Sequence, residues 1–405
     1  QRQLQVFNLE TKAKLKSHMS PQDVIYWRWI SATVLGIVTT SSVYHWSIED
    51  DAAPQKVFDR HASLADTQII NYRASADGKW MVLIGISSNT VDANAFRIKG
   101  SMQLYSKERG VSQPIDGHAA ALAELKTQDA IVPYKLFTFA VRTSTGAKLH
   151  IVEIDHAPEN PAFSKKTVDV FFPDEATNDF PVAMQVSKRY GIVYLMTKYG
   201  FIHLYDLETG ACIYMNRVSG ETVFVAAEQK SSNGIIAVNR RGQVLSVSVD
   251  ADTIIPYILR TLNNTDLAFK LASRGNLPGA DEMYLQQFHS LFSTGQYTEA
   301  IKIAANSPRG ILRTPQMIEQ LKQVPSQPGT LSPILQYFGM LLESGSLNQH
   351  ESLELSKPVL AQGRKHLLEK WLKEDKIECS EELGDIVRMQ DMSLALSVYL
   401  RANVP

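Results

Sequence analysis

The sequence predicts a β-propeller followed by an α-solenoid of short antiparallel helices. Three observations carry that prediction. An apolar–x–apolar–aromatic strand cluster recurs through the first 250 residues, turn residues separate its copies, and beyond about Ile255 the hydrophobic period changes from that of a strand to that of a helix.

The clearest copy is Gly200–Gly220 (GFIHLYDLETGACIYMNRVSG). Ile202, Leu204 and Tyr205 alternate with Gly200, Phe201 and His203 in a short strand. Asp206–Gly210 is a turn signal, with Gly210 free to take a positive φ. Cys212, Tyr214 and Asn216 then alternate with Ile213, Met215 and Arg217 in a returning strand, so the stretch reads as a β-hairpin.

Weaker copies of the cluster stand at Leu4–Phe7, Val43–Trp46, Met102–Tyr105, Leu149–Val152 and Val244–Val247. Their spacing is about 40–50 residues, the length of a propeller blade of four strands, apart from wider gaps. The widest gap holds Ser87–Lys99, a polar stretch read as a loop insertion. Further strands are expected at Val34–Thr39, Trp80–Ile86, Leu136–Arg142, Ile192–Thr197 and Gly234–Asn239, with turns at Asp77-Gly78 and Arg241-Gly242. Six blades are visible, the first starting midway through its pattern. A seven-bladed ring lacking its first blade fits this arithmetic best, and a six-bladed ring is the alternative.

Helices are expected at Asp266–Arg274, capped by Thr265, then at Ala280–Phe292 and Tyr297–Asn306 around a corner at Ser293–Gln296. Others follow at Thr314–Gln323, Pro333–Ser344, His350–Ala361, Gly363–Lys373, Ser380–Met389 and Met392–Ala402. Val324–Pro333 reads as a Pro/Ser linker. Short helices in antiparallel pairs with no strands between them are the pattern of a solenoid. The pattern is still running at Val404-Pro405, so the solenoid is expected to continue. The expected domains are a propeller over 1–250, a helical linker over 251–314 and the start of a solenoid leg over 315–405.

Composition narrows the function. A net charge of −1 argues against nucleic-acid binding by bulk electrostatics. Two cysteines, Cys212 and Cys379, provide neither a disulfide framework nor a zinc knuckle and fit a reducing compartment. No apolar run reaches the roughly 18–20 residues of a membrane helix. The chain opens on Gln1 within a strand pattern rather than on Met, so a preceding segment is expected. No G-x-S-x-G elbow, phosphate-binding Gly loop, HExxH or CxxC occurs, so catalysis and a cofactor are not expected. His18, His61 and His118 recur at one position of the repeat, which points to structural hydrogen bonds rather than a metal.

Long runs of the chain resemble the clathrin heavy chain: YGFIHLYDLETGACIYMNRVSGETVFV, FFPDEATNDFPVAMQ, HLLEKWLKEDKIECSEELGD and LALSVYLRANVP. The resemblance covers essentially the whole chain. It implies a propeller beginning near its second blade, a helical linker and the first part of a leg of stacked helices. It also implies a non-enzymatic coat protein on the cytoplasmic face of coated pits and vesicles. Its propeller would dock short peptide motifs of adaptors and accessory proteins and reach the membrane only through them. Other heavy chains and light chains would bind parts of the leg outside this chain. Val91–Lys99 is longer than the family's usual loop.

The candidate sites divide into what the residues say and what the resemblance adds. Alternation puts Gln5 and Phe7 on one side of a strand and Leu4 and Val6 on the other, while Lys12, Lys14 and Lys16 alternate along the return strand. From composition alone the lysines read as a solvated face. The resemblance places Gln5, Phe7, Lys12 and Lys14 in a groove for Leu-aliphatic-x-aliphatic-acidic motifs, with Phe7 as floor and the lysines facing carboxylates. Trp80, Leu104, Arg109 and Gln113 match a second groove for a related aliphatic motif; on its own, Trp80 reads as core. Gln68, Ile70 and Ile86 match a depression that takes a Trp-containing motif; on their own, both isoleucines read as ordinary core. Arg217 is the candidate for a fourth surface. The rival readings are another propeller–solenoid scaffold with different ligands, and a propeller enzyme with a central-channel site.

Overall fold

The computed structural model describes residues 2–88, 98–325 and 331–403. The chain divides into two compact units at Asp250–Ala251, the first built of strands and the second of helices.

The first unit begins with a two-stranded antiparallel hairpin, β1 (Gln3–Phe7) and β2 (Lys14–Met19). Four four-stranded sheets follow. The first is β3 (Val24–Trp29), β4 (Val34–Thr39), β5 (Ser42–Ser47) and β6 (Gln55–Asp59). The next is β7 (Gln68–Ala74), β8 (Trp80–Ser88), β9 (Ile98–Ser106) and β10 (Val111–Asp116). Then come β11 (Ala119–Leu125), β12 (Tyr134–Thr143), β13 (Gly146–Glu153) and β14 (Lys166–Asp169). The fourth is β15 (Pro181–Val186), β16 (Ile192–Thr197), β17 (Phe201–Asp206) and β18 (Cys212–Arg217). A three-stranded sheet of β19 (Val223–Gln229), β20 (Gly234–Asn239) and β21 (Val244–Val247) ends the unit.

Every sheet is an antiparallel meander, and the first strands of successive sheets (β3, β7, β11, β15, β19) neighbour one another. That is the radial repetition of a propeller. Five blades are present among the described residues. The six expected blades are corrected accordingly: each of the six sequence clusters does fall on a β-strand, but the first lies in the β1–β2 hairpin, which is not a blade. Neither a six- nor a seven-bladed ring is observed among the described residues.

The core lies in the seams between sheets. Val38, Val43, Phe58, Leu64, Tyr72, Met81 and Leu83 fill one seam; Val82, Ile84, Met102, Leu104, Ala120 and Phe137 fill the next. Leu136, Leu149, Met184, Leu195 and Tyr205 occupy a third. All six residues of β16 are buried, and so are those of β17. Each buried aliphatic side chain there contributes about 1.5–3 kcal/mol relative to exposure. The hairpin is held by Leu4 and Val6 packing on Leu35, Ile37 and Trp46. At the turn between β17 and β18, Gly210 takes φ +77°, a conformation an L side chain rarely adopts.

The second unit contains ten α-helices among the described residues. They are α1 (Ile254–Arg260), α2 (Thr265–Gly275), α3 (Asp281–Ser293), α4 (Tyr297–Ala305) and α5 (Pro315–Gln323). Then come α6 (Pro333–Ser344), α7 (Gln349–Ala361), α8 (Lys365–Lys373), α9 (Glu381–Arg388) and α10 (Met392–Arg401). The cap of α2 is Asn264, whose side chain accepts from Leu267 N at 3.0 Å, and not Thr265, which is the first helical residue. Ser380, expected as the first residue of its helix, is instead the cap of α9, its side chain accepting from Leu383 N at 3.2 Å. Gly384 on α9 lets α10 approach closely: a Cβ there would lie 2.3 Å from the Tyr399 ring. Of the expected Val91–Lys99 insertion, residues 91–97 lie outside the described residues, and Ile98 and Lys99 pair with Ser88 and Ser87 in the β8–β9 ladder. Part of the Val324–Pro333 linker and the terminal Val404-Pro405 also lie outside the described residues.

Candidate functional site

The hairpin β1–β2 places Gln5 and Phe7 on its open side and Leu4 and Val6 against the neighbouring sheet. Phe7 is 50% exposed and pairs directly with Lys14, which is also exposed. The expected row of three lysines does not form. A register shift between Val6 and Phe7 sets Lys16 opposite Val6, on the covered side of the hairpin. There its Nζ donates to Ser47 O at 2.8 Å and lies over the Trp46 ring. Lys12 is not on the return strand at all: it sits in the turn at φ +54°, where Asn8 Oδ1 accepts from Glu10 N and Thr11 N. The open side of the hairpin therefore carries Phe7, Leu15 and Met19, three half-exposed apolar side chains, with Gln5 and the Lys14 charge beside them. The second edge of β1 pairs with no strand among the described residues.

Trp80, Leu104, Arg109 and Gln113 come together on the sheet β7–β10. Leu104 on β9 pairs with Val82 on β8 and with Gln113 on β10. The Arg109 guanidinium lies 5.9 Å from the centre of the Trp80 ring. Trp80 is half-buried in the seam with the next sheet, while Leu104 is buried at 5% exposure and presents little surface. Arg109 and Gln113 are exposed. Gln68 pairs with Ile86 across β7 and β8, and Ile70 sits at a register shift two residues along. Gln68 is exposed and both isoleucines are half-buried. Arg217, at the end of β18, gives its Nε–H to Ser219 O at 3.0 Å and packs over Phe201. Among the described residues only that one of its guanidinium N–H groups is engaged, and the side chain is exposed.

The histidines are structural. His118 Nε2 donates to Ile98 O at 3.0 Å, and its Nδ1 accepts from Arg142 N; His61 Nδ1 accepts from Ser63 N. His18 instead makes a ring contact with Trp46, with 5.8 Å between ring centroids. Among the described residues no group of His, Cys, Asp and Glu could hold a metal ion. No helix among the described residues is long and apolar enough to cross a membrane.

Two features escaped the sequence reading. Ile25, Trp27 and Trp29 alternate on one face of β3 and are 41–56% exposed. The strict alternation VIYWRW was the available signal. Buried and half-buried polar residues also meet between innermost strands: Arg28 Nη1 donates to Asn71 Oδ1 at 2.6 Å, and Arg73 Nη1 to Gln185 Oε1 at 3.1 Å.

The fold defines a β-propeller protein with a second, helical unit, and the candidate residues lie on its sheet surfaces and seams. The model of the clathrin propeller repeat matches residues 173–208 and 216–250, that of the clathrin heavy-chain linker residues 252–274, and that named Clathrin-H-link residues 276–341. The chain is 58% identical over its whole length to the clathrin heavy chain of Drosophila melanogaster. It is 55% identical over 99% of its length to clathrin heavy chain 2 of Homo sapiens, and 55% identical to the probable clathrin heavy chain of Schizosaccharomyces pombe. The chain belongs to the clathrin heavy-chain family. It spans about a quarter (24%) of the length of each of these relatives.

Proposed function

We propose that this chain is part of a structural coat protein of vesicles, whose strand unit docks short aliphatic-acidic peptide motifs of endocytic and sorting adaptors. It works as a scaffold rather than a catalyst, on the cytoplasmic face of coated pits and vesicles, and meets the membrane only through its adaptors. Residues 251–314 serve as a linker and 315–405 begin a leg that propagates as an α-solenoid. That leg builds the lattice with other heavy chains. Successive short helices such as α3–α4 and α9–α10, packed in contact, support the stacking. Membership of the clathrin heavy-chain family supports the coat role.

The observation that carries the docking reading is the pairing of half-exposed Phe7 with Lys14 beside Gln5. An aromatic floor next to a cation suits a ligand with spaced aliphatic side chains and a carboxylate. An exposed lysine–carboxylate pair contributes only about 0–1 kcal/mol. Each groove therefore binds weakly, and a coat gains affinity by holding many weak sites close together. The grooves at Trp80, Leu104, Arg109 and Gln113, at Gln68, Ile70 and Ile86, and at Arg217 are further docking surfaces of the same kind.

Fluorescence anisotropy of a labelled Leu-aliphatic-x-aliphatic-Asp peptide tests this. The protein should bind it, and Lys12→Glu combined with Lys14→Glu should weaken binding at least several-fold. Phe7→Ala should abolish it. Equal binding by all three forms would remove the ligand from the hairpin, and Arg109→Glu would then test the second groove.

A further inference from the structure

From the innermost strands we infer a second kind of site, an oxyanion-binding cluster formed by Arg28, Arg73 and Gln185. Arg28 stands on β3, Arg73 on β7 and Gln185 on β15, three of the strands that neighbour one another in succession at the inside of the unit. The Arg73–Gln185 hydrogen bond passes over β11, which lies between their strands and is rich in alanine (AAALAEL). These side chains therefore converge from several sheets toward the interior rather than lying along one of them.

The cluster has an excess of donors and of positive charge. Arg28 and Arg73 are each hydrogen-bonded to a neutral amide oxygen, Asn71 Oδ1 and Gln185 Oε1. Neither forms an ion pair among the described residues. Gln185 is 5% exposed and its Nε2 has no hydrogen-bond partner; Arg73 Nε is equally shut off from solvent and equally unpartnered. Two orphaned donors, one on each partner of the same hydrogen bond, have no internal acceptor. Burial, then repulsion from Arg28, lowers the Arg73 pKa to about 9, with Tyr26 and Glu228 pulling the other way. Glu228, on β19, is exposed and forms no ion pair with either guanidinium among the described residues, so it offsets only part of this charge.

An unpaired buried donor destabilises the fold, and an uncompensated buried charge does so more strongly. A phosphate or carboxylate group supplies acceptors for both orphaned donors and the missing negative charge. The planar guanidinium suits such a group because its N–H donors can engage two oxygens together. Arg28 and Arg73 are half-buried, so the cluster keeps contact with solvent. This site is separate in chemistry from the aromatic–lysine hairpin and would take a small oxyanion, not an aliphatic peptide.

The test is thermal unfolding of the protein in phosphate, acetate or chloride at equal ionic strength, with Gln185→Glu and Arg28→Gln alongside. Phosphate or acetate at tens of millimolar should raise the melting temperature by about 2–5 °C over chloride. The anion giving the larger shift identifies the group as phosphate or carboxylate. Gln185→Glu places a carboxylate against Arg73, so it should melt higher than the parent in chloride and lose the oxyanion response. Arg28→Gln should reduce that response while leaving the fold intact. No oxyanion-specific shift in the parent would overturn the inference. So would an undiminished response in both variants, since binding would then lie elsewhere.

Discussion

Removing the Glu351 carboxylate should destabilise the second unit more than any other single substitution on its polar residues. Glu351 is 0% exposed and lies in the first turn of α7. Its Oε1 accepts from Arg313 Nε at 3.0 Å and from the Tyr337 hydroxyl at 2.5 Å; its Oε2 accepts from Asn348 N at 2.8 Å and pairs with Arg313 Nη2. One carboxylate thus ties the segment before α5, the middle of α6 and the start of α7, and completes the capping box with Asn348. The same bond raises the Arg313 pKa, and burial raises that of Tyr337. Breaking a buried pair by deleting one partner costs about 3–5 kcal/mol. The Arg313 side chain is 22% exposed, so its stranded charge is partly solvated and the lower end, about 3 kcal/mol, applies. For a unit of this size each kcal/mol moves the melting temperature by about 2–4 °C, so Glu351→Ala should lower the helical transition by about 6–12 °C. Circular dichroism at 222 nm follows it. Glu351→Gln, which keeps an acceptor for Asn348 N, should lose less. The double variant Arg313→Met/Glu351→Met should cost less than its single substitutions summed, because no charge is left unpaired. A shift under about 2 °C for Glu351→Ala, or strict additivity in the double variant, would refute this account of the network.

Acid should weaken the strand unit through His203. That ring is 1% exposed, has no partner at either nitrogen, packs by Phe172 and Tyr205, and burial lowers its pKa from 6.5 to about 4. The neutral form is the folded form, so this contribution is complete above pH 6.5 and is lost as pH falls toward 4. Near pH 5 the loss is about 2 kcal/mol. The urea midpoint should fall between pH 7.5 and 5, and His203→Phe should fall less; equal falls would show that other groups titrate. Gly384→Ala should destabilise α9 and α10 by about 1–3 kcal/mol, because its Cβ meets the Tyr399 ring; a change within about 0.5 kcal/mol in chemical denaturation would mean that Tyr399 swings aside. Asn264→Ala should cost about 1 kcal/mol through the lost cap of α2, and Thr265→Ala much less; the reverse order would restore Thr265 as the cap.

Much of the fold was legible because period and turn chemistry agree. Val34–Thr39, Ile192–Thr197 and Gly234–Asn239 are strands with the expected bounds. The blade count was not legible, because the recurring cluster marks one strand of a sheet and says nothing of the strands beside it. The hairpin at Leu4–Phe7 has the cluster without a blade. Helix α1 was not expected; its Pro256 stands in the first turn, where proline forfeits no internal hydrogen bond. At the candidate site, alternation put Phe7 on the open side but misplaced the lysines, since one register shift reverses every residue beyond it. Arg73 and Gln185 are 112 residues apart, and no local pattern links them.

Burial falls steeply from the middle of each sheet outward. β16 and β17 are closed to solvent on both faces, whereas β10, β18 and β2 are open at most positions. Lys14, Gln113 and Arg217 all stand on these outer strands. Such a layout separates two kinds of heredity within one sheet: inner strands that tolerate almost no change of volume, and outer strands whose side chains can be exchanged with little penalty to folding. Lineages of this chain can therefore drift in the side chains their rims present while the interior that holds the rims in place stays as it is.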